Sequence, residues 1–150
     1  MQSVNTSTIT YLEANEAIRD RVEREWGTKA ASHMHLTDGF SIVALENDTL
    51  VGLISACWKK LPPPLPDTFD GYVDILEVHE EHRRKGIARQ LMGIVCERAK
   101  RKGAYQLRAW SSEDKIEAIP MWKALGFGLC PAVTHPQGRE VTGYFVTKVL

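Results

Sequence analysis

The sequence has no excess of either charge, because 19 lysine and arginine residues are balanced by 19 aspartate and glutamate residues. Nucleic-acid-binding domains usually carry a marked basic excess, so this balance argues against a broad nucleic-acid surface and leaves room only for a local anion site. No apolar run approaches about 18 residues, and the first ten residues lack the apolar core of a signal peptide. We therefore expect a cytoplasmic protein that binds neither nucleic acid nor a membrane.

Cysteine is scarce, and proline is concentrated in one segment. Cys57, Cys96 and Cys130 are odd in number, widely separated and set among apolar residues. This pattern argues against a disulfide framework or a thiolate metal site, and we expect all three to be small buried hydrophobic side chains. The proline-rich segment 61–66 is predicted to be a loop, because proline lacks the amide hydrogen that the interior of a sheet requires.

What is present is an ordinary globular composition, and 150 residues fit one domain, 1–150. Apolar runs and alternations predict seven strands, over 8–12, 40–45, 50–58, 72–78, 105–110, 127–133 and 141–149. Apolar residues at helical spacing predict helices that end at Gly27, run over 86–102 and close at Gly126. The order of these elements predicts a mixed α/β fold whose sheet is antiparallel at first and mixed in its centre.

Three local features qualify this pattern. The turn residues Glu46, Asn47 and Asp48 are expected to join the second and third strands. The segment that starts with Ser111 and Ser112 has the chemistry of a helix start, so we expect these serines to be caps. Pro120 must either kink the last helix or mark its true beginning.

A basic loop follows the strand predicted over 72–78. Four polar residues, 79–82, lead into a run of three basic residues, Gly86 and the start of the long helix. First-turn amides have no intrahelical partner, the helix dipole adds partial positive charge there, and a glycine lets a phosphate approach the main chain. The spacing matches neither a nucleoside-triphosphate loop nor a dinucleotide turn. The segment is either an anion site or a solvated basic loop.

Two blocks of this sequence resemble the GNAT superfamily of N-acetyltransferases. Arg83-x-x-Gly86-x-Ala88 matches its Arg/Gln-x-x-Gly-x-Gly/Ala signature, and the segment 118–127, which ends in Leu125-Gly126-Phe127, is similar to its late helix. The order and spacing of the blocks fit over nearly the whole chain. The resemblance implies a single-domain GNAT-like α/β (α+β mixed) fold, with a central mixed sheet of about seven strands flanked by about four helices.

The resemblance also implies an acetyl-CoA-dependent transfer of an acetyl group to a primary amine of a small molecule or peptide, by direct attack on the thioester and without a metal. It implies these cofactor-binding residues: Leu76, Glu77 and Val78 for the pantetheine arm, and Arg83, Arg84, Lys85, Gly86, Ile87, Ala88 and Arg89 for the pyrophosphate. By the same analogy, Trp58 and the proline-rich segment border the acceptor pocket. A monomer or a homodimer is expected.

Two carboxylates in the predicted central strand are candidates for the base that deprotonates the amine. Asp74 and Glu77 interrupt an apolar run and have opposite parity, so their side chains face opposite sides of a regular strand. Asp74 shares its side of the strand with Tyr72, and Tyr72 matches a position where some members of the family carry a base. We favour Asp74. The alternative is a structural carboxylate bonded to its neighbours.

The departure from the family pattern is Trp122, where many members have a tyrosine as general acid. Indole donates a hydrogen bond but cannot transfer its proton usefully. Tyr144 is a weaker candidate for the acid, and Trp122 is otherwise a core residue. The missing tyrosine supports an alternative function, a catalytically silent acyl-CoA sensor. His79 with His82 and His33 with His35 have the spacing of metal pairs, but we see no third ligand and expect no metal.

Overall fold

The computed structural model describes residues 8–61, 68–112 and 118–150. The strands are β1 (Ile9–Glu13), β2 (Gly39–Glu46), β3 (Thr49–Lys60), β4 (Phe69–Val78), β5 (Gln106–Ser112), β6 (Gly128–Thr134) and β7 (Val141–Val149). The α-helices are α1 (Glu16–Trp26), α2 (Thr28–Ser32), α3 (Ile87–Lys102) and α4 (Ala118–Ala124). The predicted proline loop falls outside these ranges from residue 62 onward.

The seven strands form one sheet in the order β1-β2-β3-β4-β5-β7-β6. β1 pairs with β2 antiparallel, β4 pairs with β5 parallel, and β7 pairs antiparallel with both β5 and β6. The predicted mixed α/β fold, with about seven strands and about four helices, is confirmed. None of the helices in the described ranges combines the length and apolar character that crossing a membrane requires.

The chain divides into two compact units. The first runs to Ala56 and resumes over Ile75–Gly93, and the second comprises Cys57–Asp74 and Ile94–Leu150. The assignment of residues 1–150 to one domain therefore stays a prediction.

In the first unit, α1 and α2 pack on apolar side chains of β2 and β3. The side chain of Asn15 caps α1 by accepting a hydrogen bond from the Ile18 amide at 2.9 Å. α1 ends at Gly27, as predicted, where φ is 99°. Gly52 on β3 lets α3 approach closely, because a β-carbon there would lie 2.8 Å from Ile87 Cγ2. This contact fixes the first turn of α3 against the sheet.

The β2–β3 turn is shorter than predicted. Asn47 and Asp48 alone form it, both with positive φ, which is the backbone of a two-residue type I′ hairpin. Glu46 was predicted to be a turn residue, but it is the last residue of β2 and is buried. A two-residue loop suits the twist of an antiparallel pair, and it leaves Glu46 paired with Ile9 of β1.

In the second unit, Ser111 and Ser112 belong to β5 and pair with Tyr144 and Gly143 of β7. The prediction that Ser111 caps a helix is wrong, because its buried Oγ has no hydrogen-bond partner among the described residues. The residues that Ser112 would cap lie outside the described ranges. α4 begins at Ala118, which places Pro120 in its first turn, where a missing amide costs little.

The cysteines do not all behave as predicted. Cys57 and Cys96 are buried, but Cys130 is exposed, because it lies on β6, which is at the edge of the sheet next to β7. Burial raises the pKa of the Cys96 thiol.

Candidate active site

The basic loop begins in a short 3₁₀ turn that follows β4. The turn covers Glu80–His82, and the His79 amide donates to the Val51 carbonyl of β3 at 2.8 Å. Arg83 then donates from Nε to the Val78 carbonyl at 3.2 Å, which ties the loop back to the end of β4. These bonds fix the place at which the chain leaves the sheet and enters the loop.

The main chain of the loop contains two residues of positive φ. Arg84 has φ of 67° and Gly86 has φ of 79°. Left-handed residues in a loop can turn successive amides toward one point, and such concavities bind anions. Ile87, which is 1% exposed, anchors the start of the 16-residue helix α3. No atom lies within 4 Å of the position that a β-carbon on Gly86 would occupy, so the space above this glycine is open.

The four basic side chains of the loop, Arg83, Arg84, Lys85 and Arg89, are exposed. Lys85 also donates from Nζ to Oε2 of buried Glu46 at 3.3 Å. His82 Nδ1 lies 2.8 Å from the same oxygen. The buried carboxylate therefore holds two side chains of the turn and loop together.

β4 presents the other predicted residues. Leu76 and Val78 are half-buried, and Glu77 is exposed, as expected for a residue of opposite parity. Asp74 is half-buried on the same strand. Burial raises the pKa of the Tyr72 phenol, and the nearby Asp74 carboxylate raises that pKa further. The expected proximity of Tyr72 and Asp74 is therefore present.

Trp122 is 5% exposed, and its ring packs edge-to-face against Phe127 with centroids 4.9 Å apart. Its indole Nε1–H has no hydrogen-bond partner within the described residues. Tyr144 is half-buried on β7, opposite Ser111 of β5 and Pro131 of β6. This environment favours a packing role for Trp122.

Sequence reasoning missed two buried carboxylates. Glu46 was assigned to a turn, and Asp70, which is 2% exposed, lay outside the strand predicted over 72–78. Asp70 accepts from Gln106 Nε2 at 3.3 Å and lies 3.5 Å from Arg108 Nη1. In both cases, an acidic residue next to an apolar run in the sequence could have indicated a buried carboxylate.

The histidines of the turn have a third potential ligand after all. One ligand atom from each of His79, Glu81 and His82 lies within 4.8 Å of the other two. The prediction that no third ligand accompanies this pair is wrong, because Glu81, whose amide donates to His79 Nδ1 at 3.4 Å, lies beside both histidines. The second pair differs, since His35 Nδ1 bonds Asp38 at 2.9 Å.

Comparison with known proteins finds similar sequences and folds, and three of these proteins are described here. The chain is 30% identical over 94 residues to N-alpha-acetyltransferase 30 of Schizosaccharomyces pombe, a match that covers 63% of this chain and 61% of that protein. Arabidopsis thaliana NAA60 in complex with acetyl-CoA has a similar fold, with a TM-score of 0.76, 16% identity, and coverage of 95% of this chain and 100% of that one.

A second solved structure, the aminoglycoside N-acetyltransferase AAC(6')-Iy in complex with CoA, superposes with a TM-score of 0.72. Its identity is 16%, and the superposition covers 92% of this chain and 99% of that one. Both structural matches show the fold. A sequence profile for the acetyltransferase (GNAT) family matches residues 5–127, which include the basic loop and the Leu125-Gly126-Phe127 block. This chain is a member of the acetyltransferase (GNAT) family.

Proposed function

We propose that the protein is an N-acetyltransferase that moves the acetyl group of acetyl-CoA to a primary amine of a peptide or small molecule. The observation that supports this most strongly is the main chain at Arg84 and Gly86, where two positive φ angles precede a 16-residue helix. The main chain and the helix start together suit the two negative charges of a pyrophosphate. Membership of the family supplies the reaction class.

In the proposed complex, main-chain amides of the loop hold the pyrophosphate, and exposed Arg84 and Arg89 add mobile positive charge around it. Lys85 contributes less free charge, because its Nζ already donates to Glu46. The main chain of Leu76, Glu77 and Val78 pairs with the pantetheine arm. In this proposal, the affinity for the cofactor depends more on the backbone geometry of the loop than on any single basic side chain.

The chemical step needs a neutral amine. An alkyl amine of pKa about 10.4 is almost fully protonated at pH 7, and removal of its proton there costs about 4.6 kcal/mol. The amine nitrogen then attacks the thioester carbonyl carbon, the C–S bond breaks, and coenzyme A leaves as a thiolate. We assign proton removal to Asp74, whose half-buried carboxylate lies near Tyr72, and keep Glu77 as the alternative base.

The thiolate does not require a strong acid. The thiol of coenzyme A has a pKa of about 8.5, so its thiolate is an adequate leaving group near neutral pH. Trp122 cannot supply a proton, so solvent or Tyr144 protonates the thiolate in this proposal.

The relatives indicate two acceptor classes. N-alpha-acetyltransferase 30 is named for α-amines, and AAC(6')-Iy is named for aminoglycosides. The two classes differ physically, because an α-amine has pKa of about 8 and is far easier to deprotonate than an alkyl amine. We propose a cytoplasmic enzyme, monomeric or homodimeric, and light scattering would establish its oligomeric state.

The test is release of coenzyme A from acetyl-CoA, measured with a thiol reagent against a panel of peptide α-amines, lysine side chains and aminoglycosides. Product masses must show one added acetyl group on nitrogen. Amine-dependent release supports the enzyme. Binding of acetyl-CoA without release with any amine would contradict it and support the sensor function that Trp122 suggests.

A further inference from the structure

We propose that His79, Glu81 and His82 form a binding site for a divalent cation of the zinc class, beside the basic loop. Two imidazoles and one carboxylate are donors that zinc prefers, with solvent in a fourth position. One ligand atom of each side chain already lies within 4.8 Å of the others. The cation is separate from the proposed acetyl transfer, which requires no metal.

The backbone explains why these side chains meet. The His82 amide donates to the His79 carbonyl at 2.8 Å, which closes the 3₁₀ turn. The Glu81 amide donates to His79 Nδ1 at 3.4 Å, which holds the His79 ring over the turn. The two imidazole centroids are 5.7 Å apart. Because the His79 amide also bonds to Val51, this arrangement is fixed to the sheet.

The second support is the orientation of His82. Its Nδ1 lies 2.8 Å from Oε2 of Glu46, whose side chain is 10% exposed. Lys85 Nζ also lies 3.1 Å from Nδ1 but already donates to Oε2 of Glu46. An ionised carboxylate only accepts hydrogen bonds, so in the tautomer in which Nδ1 donates to Glu46 the lone pair of neutral His82 is on Nε2. Metal-bound histidines are usually held in this way by a carboxylate behind the ring. Glu46 would thus be a positioning residue for the cation site.

The third support is space. A cavity of about 430 Å³ adjoins the cluster and has these lining residues: Glu25, Trp26, Thr49, Leu50, His79, Glu81 and His82. It can admit a hydrated cation and leave water as a further ligand. Tetrahedral zinc with bonds of about 2.0 Å needs ligand atoms about 3.3 Å apart. His79 and Glu81 are exposed, so little packing opposes the small rotations that would close the present spacing.

The experiment uses tag-free full-length protein, stripped with a chelator and dialysed. Zinc affinity is measured by competition with a chromogenic chelator, and Co²⁺ is added separately to record its visible absorption. We expect one equivalent of metal and the intense Co²⁺ bands of a four- or five-coordinate site. His79→Gln and Glu81→Gln should each weaken zinc binding at least tenfold.

Two further variants make the result specific. Glu46→Gln leaves all three ligands in place but removes the carboxylate behind His82, and it should weaken zinc binding by roughly 10–100-fold. His135→Gln, at an exposed histidine outside the cluster, should leave affinity unchanged. Circular dichroism checks that each variant is folded.

Equal zinc affinity in the parent, His79→Gln and Glu81→Gln proteins would overturn the site, as would absence of one-to-one binding by the parent. An equal loss in His135→Gln would show nonspecific binding instead. These readouts do not depend on acetyl transfer, so failure here and failure of the proposed enzyme are separable.

Discussion

The basic loop and the candidate catalytic residues differ, because the first depends on main-chain geometry and the second on the surroundings of side chains. The loop is defined by main-chain geometry at Arg84 and Gly86, within one short segment. The catalytic candidates Asp74, Trp122 and Tyr144 are side chains on β4, α4 and β7. A backbone requirement leaves a local glycine signature in the sequence, whereas the role of a side chain depends on what folding places around it. The loop assignment is therefore the stronger one, and the predictions below test both.

The largest effect is expected for Asp74→Asn. If Asp74 removes the amine proton, kcat should fall by roughly 100-fold or more at pH 7 with an alkyl amine, and less as the pH approaches the amine pKa. The loss should be smaller for a peptide α-amine, which is closer to neutral at pH 7. The measurement is a pH–rate profile with both acceptors. Glu77→Gln is the control, and the same pattern in that variant alone would make Glu77 the base.

For the loop, Gly86→Val should raise the dissociation constant for coenzyme A at least tenfold, which is about 1.4 kcal/mol. A β-branched residue at φ of 79° is strained, and its side chain fills the open space that the pyrophosphate requires. Gly138→Val is a matched control, because Gly138 has the same φ and equally open surroundings. Calorimetry that shows the same affinity for both folded variants would remove the loop from the cofactor site.

Trp122→Tyr tests whether this position is core or chemistry. We expect a loss of about 1–3 kcal/mol in the free energy of unfolding, because the smaller ring leaves a cavity beside Phe127. Turnover per folded molecule should stay unchanged, since solvent protonates the thiolate. Trp110→Tyr is the comparison, because Trp110 packs similarly against Phe145, with centroids 4.8 Å apart. A rate gain in Trp122→Tyr alone would mean that the position can serve as the acid.

The smallest effect concerns Tyr72. The pKa of Tyr72 is raised in the folded state above the unfolded value of about 10. In the pH range between these two pKa values, the folded state therefore binds more protons than the unfolded state. Its contribution to stability is present below pH 10 and is lost as the pH rises through the folded pKa. Tyr72→Phe should make this decline slightly less steep in denaturant unfolding above pH 9. Tyr105→Phe, at an exposed position, should leave the decline as in the parent.

Much of the fold followed from local pattern. The predicted 141–149 strand matches β7, and the predicted 86–102 helix begins one residue before α3. Gly27 and Gly126 have positive φ at the ends predicted for helices, and Gly103 has positive φ directly after the helix predicted over 86–102. Hydrophobic periodicity and glycine positions can be read from a short segment of sequence. They predict the elements well because the apolar face that reveals an element in the sequence is also the face that packs in the core.

The sequence by itself determined the family, the strand and helix order and the loop whose backbone suits a phosphate. Only the tertiary structure decided that Glu46 is buried behind His82 and Lys85, that Glu81 joins the two histidines, and that Cys130 is exposed. Each of these depends on a neighbour distant in sequence or on a tight turn. Burial and pairing of a polar side chain are set by packing between elements, and no local periodicity encodes that packing.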